Sequence, residues 1–344
     1  MFSFTGDAFV AEATRHYDLT CPLGESSRQN GRKAQKPRAL RTTRGVHTYE
    51  PCLRMKAETL AAPGVEALWP LCLHIVRQRR LGKPPPDGAA LTWHESQGFT
   101  LGDDWSAQAA ELFTLVKPVL DRTPGSTPWV IGQLGQSLNG CIATRSGDAN
   151  YINGAEVLLH LHRLRALSDA VVVGAATAAI DNPQLTTRHV EGDNPVRVVV
   201  DPTLRLSPAL RVFSDGAAPT LLVCDASREA EAARRVGADQ VLGVPHLTGP
   251  DGAVDVRALR AALVGRGLRV LFVEGGGITV SRFMRQGCMD RLHLSIASVV
   301  IGDGRPGLLL PQDLSLRECA RPPCRVYRMG ADVLWDLDLR AAMP

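Results

Sequence analysis

The apolar positions fall into two regimes along the chain. Up to about residue 127 they recur at helical spacing or are sparse; from Pro128 onward short apolar runs alternate with amphipathic stretches. The runs predict strands at WVIGQLG (129–135), AVVVG (170–174), VRVVVD (196–201), TLLVC (220–224), QVLGV (240–244), VLFVE (270–274), RLHLSIA (291–297) and DVLWDLDL (332–339). Helices are predicted over 154–167, 227–236, 255–265 and 278–286. Runs such as AVVVG and LRVLFVE are apolar throughout, which suits interior strands covered on both faces. Strand–helix alternation predicts an α/β domain over 126–344 with a mostly parallel central sheet. The strands at 291–297 and 332–339 have no helix between them and are expected as an antiparallel edge pair. Asn153 with Glu156 three residues on is a capping-box pattern, and Gly237 is expected to stop helix 227–236.

The first third reads differently. ALWPLCLHIVRQRR has helical spacing and a basic end, PPPDG breaks it, and DDWSAQAAELFTLVKPVLD reads as a second helix with acids at its start. Residues 59–125 are therefore expected to be a small helical extension, with RTPGSTP (122–128) as a linker. In residues 1–58, Arg28, Arg32, Lys33, Lys36, Arg38, Arg41 and Arg44 form a run with no acid between them. With almost nothing apolar to bury, this is read as a disordered basic leader rather than an RNA- or membrane-binding arm.

Composition narrows the function classes. The 344 residues are 44% hydrophobic and 22% charged, as in ordinary globular proteins, and a net charge of +4 does not call for a nucleic-acid partner. The eight cysteines are scattered without a CxxC pair, which points to reduced, mostly buried thiols and a cytoplasmic protein. MFSFTGDAFVAEATRH carries acids and lacks the apolar core of a signal peptide. No window reaches the roughly 18 consecutive apolar residues of a membrane span.

Three polar stretches each follow a predicted strand. In LFVEGGGITVSRF (271–283) a buried run meets Glu274, then Gly275, Gly276 and Gly277, then a helix. Free N–H groups at a helix start favour phosphate, but the match to G-x-G-x-x-G stops at Val280, and a tight turn explains the glycines equally well. Glu274 adds weight: an acid closing a buried strand is costly unless it faces a cleft, and ligands of open α/β sheets bind at the strands' carboxyl ends. GAATAAIDNPQLTTR (174–188) supplies Thr177, Asp181, Asn182, Thr186, Thr187 and Arg188, or is simply a solvated loop. QSLNGCIATRSGDANYING (136–154) is the third stretch; together the three imply one shared pocket.

The order of LGQSLNGCIA, LHRLRALSDAVVVGAATAAIDNPQLTTR, NPVRVVVD and VEGGGITVSRFMRQGCMDRLHLSIASVVIGDG resembles the reductase domain of the bacterial bifunctional pyrimidine deaminase/reductase of riboflavin biosynthesis. The resemblance covers about residues 128–340. It implies a dihydrofolate-reductase-like α/β fold, a homodimer, and NADPH-dependent reduction of a ribosylamino group to ribitylamino on a pyrimidine 5′-phosphate. It also implies cofactor contacts from Gly135, Tyr151, Thr177, Asp181, Gly275, Gly276, Gly277, Ile278 and Thr279. Substrate contacts would come from Ala149, Arg165, Leu185, Arg188 and Glu274, with Glu274 or Asp181 stabilising an iminium or relaying a proton. Guanidinium forks at Arg165 and Arg188 suit a phosphate.

Departures from the family pattern bear on the substrate more than on the reaction. Asn139 replaces an Asp, Ala149 a substrate-contacting Ser, and Ala176 the second glycine of a Gly-x-Gly-Thr turn that here reads Gly174-Ala175-Ala176-Thr177. A relative acting on another pyrimidine, a pteridine or dihydrofolate, or a non-catalytic nucleotide-binding relative, are the competing readings. Residues 1–125 lack the H-x-E and P-C-x-x-C zinc pattern of a deaminase; only Pro51-Cys52 is present. His160 and His162 lie about 200° apart on a helix, so they cannot share a metal, and one is expected packed, the other exposed.

Overall fold

The structure is a computed structural model that describes residues 62–149, 152–310 and 315–340. The leader 1–58 with its basic run, and Tyr151, lie outside the described residues.

The segment before residue 122 is not wholly helical. Helices α1 (Val65–Arg80) and α2 (Ala107–Leu120) flank a hairpin of β1 (Leu91–His94) and β2 (Gly98–Leu101). Its aromatic residues explain it: Trp93 and Phe99 face each other across the strands, ring centroids 4.8 Å apart, and Phe99 is buried in the core that α1 and α2 share. The acids Asp103 and Asp104 stop short of α2. Ser106 is its N-cap, with its side chain accepting from the Ala109 N–H at 3.3 Å.

Beyond the 122–128 connection, the chain runs through β3 (Trp129–Ser137), β4 (Cys141–Ala143), α3 (Ala155–Leu167), β5 (Ala170–Gly174), α4 (Ala175–Asp181) and β6 (Val196–Val200). Then come α5 (Arg211–Ser214), β7 (Thr220–Asp225), α6 (Glu229–Val236), β8 (Val241–Val244), α7 (Val256–Gly265), β9 (Val270–Glu274) and α8 (Gly277–Arg285). The chain closes with β10 (Arg291–Ala297), β11 (Arg305–Pro306), β12 (Cys324–Met329) and β13 (Asp332–Asp338). Nine strands form one sheet in the order β12-β13-β10-β3-β9-β5-β6-β7-β8. Neighbours from β10 to β8 are parallel, and β13 pairs antiparallel with both β10 and β12.

The continuous apolar runs are explained by two covered faces. Val270 and Phe272 of β9 point into a core shared with α1, α2 and α3; Leu271 and Val273 point into one shared with α7 and α8. Each such side chain contributes about 1.5–3 kcal/mol by leaving water.

Three local expectations are corrected. The expected edge pair is internal: β12, unseen in CRVYRM, covers β13 and is itself the edge. The capping box is not formed. Gly154 is the N-cap of α3, and Asp332, from the far strand β13, accepts from the Gly154 N–H at 2.7 Å and from Asn153 Nδ2 at 3.1 Å. His160 and His162 are both buried, because each meets a partner remote in sequence. His160 Nε2 lies 2.8 Å from Nδ1 of His293 on β10, and His162 Nδ1 accepts the Arg188 N–H at 3.0 Å. Burial lowers both histidines, His162 to about 3, so each is a neutral packing group. Gly237, at a φ of 96°, does close α6.

Four of the described cysteines, Cys72, Cys141, Cys224 and Cys288, are buried, and none of the described cysteines is in a disulfide. No described helix is long and apolar enough to cross a membrane.

Candidate active site

The carboxyl ends of β3, β5, β6 and β9 open onto a cleft of about 930 Å³. The three polar stretches converge there. On its wall stand Gly135 at the end of β3, Ala149 from stretch 136–154, Thr177 and Asp181 from stretch 174–188, and Glu274 with Gly275, Gly276, Gly277, Ile278 and Thr279 from stretch 271–283. The polar run after β5 is not a loop throughout: residues 175–181 form α4, which carries Thr177 on its inner side.

Glu274 is held from beneath. Arg165 Nε donates to Oε2 at 2.9 Å and its Nη2 to Oε1 at 2.5 Å, while Nη1 donates to the Thr186 carbonyl at 2.9 Å. The Arg165 side chain is 5% exposed and that of Glu274 14%, so the guanidinium is enclosed and the carboxylate keeps one face toward the cleft. Two parallel contacts fix its plane. Asp181, exposed at the end of α4, lines the same cleft, where partial burial, reinforced by repulsion from Glu274, raises its carboxyl above the ordinary range.

The glycine turn is shaped by the protein itself. Gly275 has a φ of +102°, and a Cβ there would lie 2.8 Å from Thr177 Cγ2. The Gly276 N–H donates to Thr177 Oγ1 at 3.0 Å. A Cβ on Gly277 would run into the Gly307 carbonyl oxygen. Helix α8 then begins with no side-chain cap, and its first residues, Gly277, Ile278 and Thr279, line the cleft.

Three of the residues expected here are off the wall. Arg165 lies behind Glu274. Leu185 is buried, at a φ of +55°, beside the Thr186 carbonyl that Arg165 uses. Arg188 is exposed, its Nη1 donating to Thr186 Oγ1 at 2.9 Å. Other wall residues had gone unnoticed. Gln133, next to Glu274 in the β3–β9 register, is 4% exposed, and its Oε1 has no partner among the described residues. A polar residue inside the apolar run 129–135 was the available signal. Arg205, Arg282 and Arg305 also line the cleft, but nothing in their local sequence marks them. No described cluster of His, Cys, Asp and Glu could hold a metal ion.

The RibD C-terminal domain family matches residues 128–326. The riboflavin biosynthesis protein RibD of Bacillus amyloliquefaciens is 31% identical over 66% of this chain, which spans 59% of that protein's length. The 2,5-diamino-6-ribosylamino-4(3H)-pyrimidinone 5′-phosphate reductase of Methanothermobacter thermautotrophicus is 34% identical over 60% of this chain and 96% of its own. The solved structure of Acinetobacter baumannii RibD, 20% identical, superposes with a TM-score of 0.53 over 67% of this chain and 62% of its own, a likeness of fold. With well over half of its residues matched, the chain belongs to the RibD C-terminal domain family.

Proposed function

We propose that this chain is an oxidoreductase that uses NADPH to reduce the ribosylamino side chain of a pyrimidine 5′-phosphate to ribitylamino. The observation that carries the reading is Glu274, a carboxylate fixed by Arg165 and open to a large cleft beside an uncapped helix start. Support also comes from the archaeal relative, whose name describes a reductase of such a compound.

The residues present fit a dinucleotide phosphate. The N–H groups at the start of α8 and the Arg205, Arg282 and Arg305 side chains offer donors and charge along one cleft. Bound NADPH would supply a hydride. Gly135, Thr177, Ile278 and Thr279 shape the wall on which it would lie, with Tyr151 assigned to the same role from the resemblance alone.

The chain's own chemistry is positioning and proton management. The nitrogen of the open-chain imine takes one proton, giving an iminium whose C1′ would accept hydride to leave the neutral amine. We assign that proton to Asp181, whose raised pKa keeps it protonated to higher pH than an ordinary aspartate. Glu274 places fixed negative charge against the iminium, and Arg165 keeps that charge aimed. Arg188, exposed and outside the Glu274 pair, is assigned to the 5′-phosphate, with Ala149 on the cleft wall packing against the substrate; Leu185, buried behind the wall, does not reach it.

The test is oxidation of NADPH by the purified chain with 5-amino-6-(5-phosphoribosylamino)uracil, with the undeaminated 2,5-diamino compound and dihydrofolate in parallel. Turnover of either ribosylamino phosphate supports the reading; turnover of dihydrofolate alone, or none, sinks it. The undeaminated ring is the second reading, favoured by three relatives named as its reductases. The reading includes a cytoplasmic homodimer. An apolar strip on the outer strands (Val326 52%, Val333 37% and Trp335 37% exposed) is available for the contact, and light scattering would measure the mass.

A further inference from the structure

A second cavity, of about 420 Å³, lies at the opposite end of the sheet, against the amino ends of β5, β6 and β9. Its wall joins the C-terminal end of α1, the 122–127 connection, Asp169 and residues 267–270. Arg79, Arg80 and Arg122 precede the segment matched by the reductase family, so this cavity is built largely by the part of the chain that family does not describe.

Four arginines, Arg79, Arg80, Arg122 and Arg269, line it with Asp169; Arg79 and Arg80 pair with Asp169 at 3.1 and 3.6 Å, and Arg80 also reaches Asp193 at 3.5 Å. Asp169 is already committed. Its Oδ1 accepts from Arg79 Nη2 at 3.1 Å, and its Oδ2 accepts the Arg269 and Val270 N–H groups at 3.0 and 2.8 Å. Arg79 and Arg80 also serve the fold, donating to the carbonyls of Val119 and Leu167 and of Ala166 and Ser168 at the ends of α2 and α3. Arg122 and Arg269 are freer. Arg269 donates to the Ser126 carbonyl at 3.1 Å, and Arg122 lies 4.5 Å from the Trp129 ring centroid. The buried Nε atoms of Arg79 and Arg122 have no partner among the described residues.

The charge balance favours an anion. Three helix ends, of α1, α2 and α3, each bring about half a negative charge. Set against four arginines, Asp169 and the solvent-screened Asp193, which Arg80 meets at 3.5 Å, that leaves a surplus of about a half to one and a half positive charges. Thr123, Ser126 and Thr127 add hydroxyl donors along the same wall. A surplus of this size matches a phosphate monoester better than a polyphosphate, and the volume, within the range of about 300–1,000 Å³ for small-molecule pockets, leaves room for an organic group beside it.

We propose that this arginine-lined cavity is a binding site for a small phosphate monoester, separate from the cleft around Glu274 and independent of the reaction carried out there. The test is calorimetric titration of the full chain with ribose 5-phosphate, in the wild type, in R122Q/R269Q and in T127E. Thr127 is exposed, so the added carboxylate disturbs no packing while opposing an anion at the mouth. The expected result is a binding event weakened at least 10-fold in both variants, with NADPH-dependent turnover and melting temperature close to wild type. No binding event in the wild type, or one that either folded variant leaves unchanged, overturns the proposal. R188Q serves as the control: binding lost there and kept in the other two would place the phosphate in the cleft instead.

Discussion

Two arginine–carboxylate pairs lie on one face of the sheet, and their difference separates architecture from a site. Arg165 grips Glu274 and Arg291 grips Asp336, each through two nitrogens. Asp336, His293, Gln133 and Glu274 are neighbours in register across β13, β10, β3 and β9, so the pairs stand at the two ends of one polar row. At the Asp336 end everything is enclosed: its carboxylate is 0% exposed and His293 Nε2 lies 3.2 Å away, with His160 behind. Burial alone would raise the Asp336 carboxyl, but the contacts from His293 and Arg291 overrule it and hold it down to about 2. At the Glu274 end the arginine is enclosed and the carboxylate keeps a face on the cleft. The same pair is therefore a staple where all partners are protein, and a reagent where one side is left for a ligand.

The comparison breaks most readily at Asp336. D336N leaves the buried Arg291 guanidinium with only Asp338, 3.7 Å from its Nη1, and is expected to cost about 3 kcal/mol in denaturant unfolding. R291M/D336L, which removes both charges, should recover most of that. If D336N instead matched wild-type stability while turnover fell, the staple reading would be wrong.

E274Q is expected to do the reverse. Turnover should fall about 10²- to 10³-fold, equivalent to about 2.7–4 kcal/mol, with NADPH affinity nearly unchanged, because the charge matters in the transition state. Steady-state kinetics beside a cofactor titration separate the two effects. R165K should cost less, about 10- to 100-fold in turnover: an ammonium keeps the charge but gives up the two-point grip that aims Glu274.

The pH effects are the smallest. Asp336 is depressed to about 2 from an unfolded value near about 3.9, so its stabilisation is complete above the unfolded value and is lost as pH falls through the folded one. Acid unfolding should steepen below about pH 4, and a flat profile in D336N would assign the effect. Asp181 is raised, so its charged form opposes folding once ionised. D181N should therefore melt slightly higher than wild type at neutral pH, while the wild-type decline of turnover at high pH disappears in the variant.

The sheet itself was legible because its strands carry their burial in their composition. AVVVG and VLFVE have no face that could meet water, and each became an interior strand with the expected bounds. Polar residues after such strands marked the cleft for the same reason: Glu274 ends a buried run, and an acid can end one only beside solvent or a partner. What was missed rests on weaker local signals. LTWH and GFTL are four-residue strands within a helical stretch, and AATAAID has too few residues to show a helical face. Asn153 and Glu156 had the spacing of a cap, yet Asp332, 178 residues beyond Gly154, supplies the acceptor.

The sequence by itself determined the layers and the end of the sheet at which chemistry would gather. Burial on both faces demands continuous apolar strands, and a parallel sheet brings the turns after those strands to one side. Only the tertiary structure decided what each polar group does there. Arg165 could have met a phosphate and instead meets Glu274, 109 residues away; His160 and His162 could have differed in exposure and are both enclosed. The strength and charge state of a buried polar group depend on which partners the fold brings within about 3 Å and on how much water it removes, and neither quantity is a property of neighbouring residues in the chain.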